Sequence, residues 1–195
     1  MKKIFFAFSA TLFSIAIFAQ KNTDTAFSRR LNDYMRFTRE LKFDDIITYT
    51  HPKLFTIATK DQIKEFLQSS FENEQMKIEF DSTAITRISE NFKSESVNYK
   101  RVDYWMAVTV TFKNTAALSD SNFISSMTSA LQQGFPEGKI VYNPFRKKFE
   151  VQANGLMIAI KDNDSTPWMF LGYQKNDALI KKLYPQQVID HFKLL

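Results

Sequence analysis

Residues 102–112 (VDYWMAVTVTF) constrain the fold more than any other segment. They alternate with a period of two, which is the signature of a strand. Tyr104, Met106, Val108, Val110 and Phe112 fall on one side, and Trp105, Ala107, Thr109 and Thr111 on the other. A strand with one wet face keeps its outer positions polar. Here apolar groups fall on both sides, as they do again in residues 168–173 (WMFLGY). The sheet built from these strands therefore needs a cover on its outer face. Three covers are open: a helix later in the chain, the C-terminal tail, or a second copy of the chain in a homodimer.

The elements before residue 76 read as helices. Phe27, Leu31, Tyr34, Met35 and Leu41 share one side of a helix over about 25–40. A short helix follows over 43–49 and stops at Thr50-His51-Pro52, because a residue before proline avoids helical backbone. Thr59-Lys60-Asp61-Gln62 is a capping box opening a third helix, with Ile63, Phe66, Leu67 and Phe71 as its expected buried stripe.

Strands dominate after that. Residues 76–80 and 84–92 read as two short strands, and 102–112 as a long one. A helix over 120–133 is stopped by Gly134 and Pro136. Residues 139–142, 148–153, 156–161 and 167–173 then read as four strands separated by turns at Asn143-Pro144, Asn154-Gly155 and Asp162-Asn163-Asp164. Short helices over 177–183 and 186–192 surround Pro185. Hairpin-length connections make the sheet antiparallel. The expectation is an α+β fold in one domain over residues 20–195.

Residues 1–19 read differently. Lys2 and Lys3 precede an uncharged apolar run, residues 4–18, and Ile17-Phe18-Ala19 is an acceptable cleavage site. The run is shorter than the roughly 20 residues of a spanning helix. A secretory signal peptide is expected, with the rest of the chain exported to the periplasm or beyond. Membrane contact is expected only through the uncleaved signal peptide.

Composition narrows the chemistry. There is no cysteine, so disulfides, thiol nucleophiles and thiolate metal sites are excluded. The chain has 26 basic and 21 acidic side chains; without Lys2 and Lys3 the balance is +3. That is too mild to imply nucleic acid. The densest basic run, Arg146-Lys147-Lys148, follows a turn and reads as a solvated cluster. No Gly-x-Ser-x-Gly elbow and no glycine-rich phosphate loop is present. Two histidines 140 positions apart give no zinc site, and Asp162-Asn163-Asp164 lacks the glycine and glutamate of a calcium loop. No cofactor is expected.

The order of helix, short helix, His51-Pro52, capped helix and long strands resembles the nuclear-transport-factor-2-like superfamily, also called cystatin-like or SnoaL-like. The string KFDDIITYTHPKLF resembles the second-helix region of its exported bacterial members. Trp168-Met169-Phe170-Leu171, followed by a short helix and Leu183-Tyr184-Pro185, resembles their last strand. The helix over 120–133 departs from the simplest version of that fold. The resemblance implies a strongly curved antiparallel sheet wrapped around the N-terminal helices as a cone-like roll, often with an apolar pocket and often dimeric. Its members include isomerases, hydrolases and non-catalytic binding modules, so fold leaves function open.

Candidate pocket residues are His51, Tyr104, Met106 and Trp168. His51 could serve as a general base, or cap a helix. Asp44 and Asp45 match the general-base region of isomerase-like members, yet carboxylates at a helix start also complement its dipole. No residue is assigned a catalytic role. The leading expectation is an exported non-catalytic module that binds a small apolar ligand or an envelope protein. A small isomerase or hydrolase using His51 or Asp44/Asp45 is one alternative, and an accessory protein without a pocket is another.

Overall fold

The computed structural model describes residues 25–173 and 176–195. The expected signal peptide and its cleavage site lie outside the described residues. Among the described residues no helix is long and apolar enough to cross a membrane.

The N-terminal helices follow the sequence pattern closely. α1 (Thr25–Arg39) buries Phe27, Leu31 and Met35, a stripe of i, i+4 steps. α2 (Phe43–Tyr49) buries Ile46 and Ile47. A 3-10 turn, Pro52–Thr56, leads to α3 (Lys60–Phe71). The Thr59 hydroxyl accepts from the Gln62 amide, and the Gln62 side chain accepts from the Thr59 amide, so both halves of the capping box form. The expected four-residue stripe on α3 is only half realised. Ile63, Leu67 and Phe71 are half-buried along one narrow i, i+4 row, while Phe66 stands 66% exposed. No residue of α3 is fully buried.

The sheet is antiparallel and open. Its strands are β1 (Met76–Ile88), β2 (Phe92–Ser94), β3 (Val97–Phe112), β4 (Lys139–Asn143), β5 (Lys148–Lys161) and β6 (Met169–Gly172). The order is β1-β3-β5-β4, with β2 continuing the line of β1 along β3 and β6 continuing the line of β4 along β5. α4 (Ser121–Gly134) lies between β3 and β4, with the Asp120 carboxylate accepting from the Asn122 amide at its start. α5 (Asp177–Leu183) and α6 (Gln186–Phe192) follow β6.

Two strand expectations are corrected. Residues 76–88 form one strand, not two, and Phe92 belongs to β2. Register shifts at Asp81 and Thr86 break the alternation without ending the pairing, so the sequence pattern looks interrupted where the strand merely bulges and bends. Residues 148–161 likewise form one continuous strand; Asn154-Gly155 is not a turn. Gly155 faces Tyr104 across the ladder, and a Cβ at Gly155 would lie 2.2 Å from Tyr104 Cζ. This glycine makes room for a cross-strand ring instead of reversing the chain.

Three packed clusters follow from this layout. Directly paired residues of antiparallel strands share a face, so Val102, Met157 and Ala159 lie opposite to Tyr99, Ile158 and Ile160. The first face is covered by α1, with Phe27, Leu31 and Met35 against Trp168 and Phe170. The second, at the same end of the sheet, is covered by α5 and α6 through Ile180, Leu183, Val188, Ile189 and Phe192. At the other end, α4 covers Val108, Val110, Phe149 and Val151 with Phe123, Ile124, Met127 and Leu131. The covers called for by the two-sided strands are thus the C-terminal helices on one face and α1 and α4 on the other.

Candidate functional site: a groove across the sheet

Along the outer side of β5, β4 pairs with residues 148–152 and β6 with 157–160. Residues 153–155 have no strand neighbour there, and the Tyr173 amide donates to the Leu156 carbonyl at the near end of the break (3.0 Å). A groove of about 930 Å³ opens over this break. It is bordered by Gln133 in the last turn of α4, by Pro136 and Glu137 just after it and by Tyr173 after β6, and reaches across β5 and β3 to Thr86 and Arg87 on β1.

Its floor carries a row of charges set by register. Arg87 is the ladder partner of Asp103, so their side chains share a face. Arg101, two residues before Asp103, shares it too. Arg101 Nε donates to Asp103 Oδ1 at 2.7 Å, and an Arg101 terminal nitrogen donates to the Phe192 carbonyl at 2.9 Å. These contacts pin Arg101 while leaving the guanidinium partly exposed. Arg87 is exposed and forms no ion pair among the described residues. The groove therefore offers two guanidinium groups, two carboxylates, amide side chains and a tyrosine, a polar set of mixed sign.

The residues singled out in the sequence lie elsewhere. His51 is buried at 7% exposure. Its Nδ1 accepts from the Lys53 amide (3.3 Å), so Nε2 carries the hydrogen and donates to Asp162 Oδ1 (3.2 Å). Its backbone amide donates to Phe170, which fixes the His-Pro segment along the edge of β6. Both ring nitrogens are thus engaged in holding the turn. Asp44 is paired with Lys64 on the surface (2.6 Å). Both aspartates border a surface recess with Lys64 and Gln68, which His51 does not line.

Trp168 is buried edge-on against Phe27, with centroids 5.1 Å apart, and its carbonyl accepts from Arg30 Nε at 2.6 Å. Met106 packs at the α4 end. Tyr104 borders a small internal cavity with Tyr34, Thr38, Phe80, Thr83 and Met157. That cavity measures about 60 Å³, room for about two waters. Burial pushes the Tyr34 hydroxyl far above its ordinary range, helped by neighbouring Tyr104, and burial raises Tyr104 as well. Of the four expected pocket residues, Tyr104 borders this cavity.

The groove was not legible beforehand, because its residues come from five separate segments. The one local signal was Asn154-Gly155, which marks the break in the sheet edge although it reads as a turn. Among the described residues, no group of three or more histidine, aspartate or glutamate side chains is placed to hold a metal ion. No protein-family model matches the chain and no curated protein matches it, so the groove is defined by its own chemistry alone.

Proposed function

We propose that the protein is an exported, non-catalytic binding module of nuclear-transport-factor-2-like architecture that holds a partner protein across this groove. The observation that carries the reading is the contrast in space and lining: about 930 Å³ of open groove edged by Arg87, Arg101, Asp103 and Glu137 against about 60 Å³ of internal cavity. Small-molecule sites are enclosed, mostly apolar and roughly 300–1,000 Å³. The internal cavity is too small for that, and the groove is open to solvent and edged by four charged side chains. Arginine and tyrosine are instead enriched at protein interfaces, within a polar, solvent-accessible rim. The bulges in β1 and the helices in front of the sheet favour the cone-like roll, in which α1 fills the space that a ligand would occupy. The enzyme alternative loses support from His51, whose ring nitrogens are both tied to the turn.

A photoreactive side chain at Thr86 or Glu137, in cells expressing the full chain, tests this. A discrete protein adduct is expected from both positions, and none from Lys60 on α3. Arg87→Glu should abolish the adduct. Equal adducts from Lys60, or a small molecule retained through native mass spectrometry, would overturn the proposal.

A further inference from the structure

The β4–β5 hairpin ends in a turn that carries the most exposed large apolar side chain among the described residues. Phe145 is 98% exposed; the next, Phe66, is 66% exposed. The turn is well fixed. Asn143 Oδ1 accepts from the Arg146 amide (3.1 Å), Asn143 Nδ2 donates to Glu150 (3.1 Å), and Lys147 takes the left-handed φ of 52° that closes the loop. Asn143 and Lys148 pair directly below it. The ring is thus held out on a rigid finger and followed at once by Arg146, Lys147 and Lys148. None of these three forms an ion pair within 4.0 Å among the described residues.

Carboxylates lie near but behind the tip. Glu79, Asp81 and Glu150 share a recess with Arg146 and Lys148 on the flank of the hairpin. Glu150 is two residues, roughly 7 Å, further from the tip than Lys148. A surface approaching the finger meets the ring and the cations first.

We propose that this tip docks on an anionic lipid surface, with Phe145 entering the boundary between headgroups and acyl chains. Arg146, Lys147 and Lys148 then lie among the lipid phosphates. The pairing of an apolar tip with flanking cations is what such an interface selects. An acidic protein would use the cations, but a single finger tip offers far less than the roughly 800 Å² per partner of a stable interface. Each cation near such a surface raises affinity roughly five-fold, so the docking is reversible.

The test uses protein isolated from cells expressing the full chain, and co-sedimentation at low salt with vesicles of phosphatidylcholine mixed with phosphatidylglycerol. Phe145→Ala should lower partitioning roughly ten-fold, the scale of losing one buried phenyl ring. Phe66→Ala, which removes an exposed ring elsewhere at unchanged charge, should leave it unaltered. Phe145→Trp should show a blue-shifted emission on these vesicles and little shift on pure phosphatidylcholine. The proposal falls if Phe145→Ala binds like the parent, if pure phosphatidylcholine binds equally well, or if the tryptophan emission does not move. It falls equally if a photoreactive group at position 145 captures a protein while vesicles are ignored, which would give the tip to a protein partner.

Discussion

The two ends of the sheet solve the same problem differently. At one end, Tyr99, Ile158, Ile160 and Leu171 lie under α5 and α6, while Val102, Met157, Ala159 and Phe170 lie under α1. Both faces are dry. At the other end, Val108, Val110, Phe149 and Val151 lie under α4, while Thr109, Glu150 and Lys148 border an open recess. The same two strands, β3 and β5, run through both ends. Their sequences change accordingly: near-continuous apolar residues over 156–160, then strict alternation over 108–112 and 149–153. A strand need not have one kind of face along its whole length, and the local pattern reports the local cover.

Four measurements can break or sharpen this comparison. Ile158→Ala, at the end dry on both faces, should cost about 2–5 kcal/mol in denaturant unfolding, because the vacated volume cannot be refilled. Thr109→Ala on the open face should change stability by no more than about 0.5 kcal/mol. Equal costs would dissolve the distinction between the ends. Next, Gly155→Ala should cost about 1–3 kcal/mol by pushing against the Tyr104 ring. Much of that loss should vanish in the double variant with Tyr104→Ala, which a double-mutant cycle reads directly.

The third concerns alkali. Tyr34 and Tyr184 sit at the end dry on both faces, and burial raises both hydroxyls well above the ordinary value near 10. Above that pH the unfolded chain sheds phenolic protons that the folded chain keeps. Unfolding then releases protons, so stability falls as pH rises above about 10 and is unaffected by these groups below it. Thermal unfolding from pH 8 to 11 should show the break; a flat profile would mean that these hydroxyls are wet. The smallest effect is at Tyr184 itself, whose buried hydroxyl has no hydrogen-bond partner among the described residues. Tyr184→Phe should leave stability unchanged or raise it by about 1 kcal/mol, and should reduce the alkaline slope.

Helices were legible in the sequence because their signals are local. The apolar stripe of α1, the proline stop after α2 and the capping box of α3 each lie within a few residues. The strands were legible where alternation was clean and misread where it was not. In β1 the bulge at Asp81 mimics a turn, and in β5 a glycine demanded by a ring on another strand mimics a hairpin. Both errors have one cause: the reason for the residue lies across the ladder, outside any local window. A candidate site depends on contacts of the same long-range kind. His51, Tyr104, Met106 and Trp168 were singled out by type, and packing or capping accounts for each of them. The groove residues Arg87, Arg101 and Asp103 are unremarkable in sequence and meet only through register.

The seat of α1 sets an order of events during synthesis. Arg30 and the Trp168 carbonyl that it holds are 138 positions apart. The helix is therefore complete long before the strand on which it rests has been made. At roughly 5–20 residues per second, its apolar side waits on the order of ten seconds without a bed. Such long-range closure is slow to nucleate, so Phe27, Leu31 and Met35 remain available throughout to whatever chaperone attends the nascent chain.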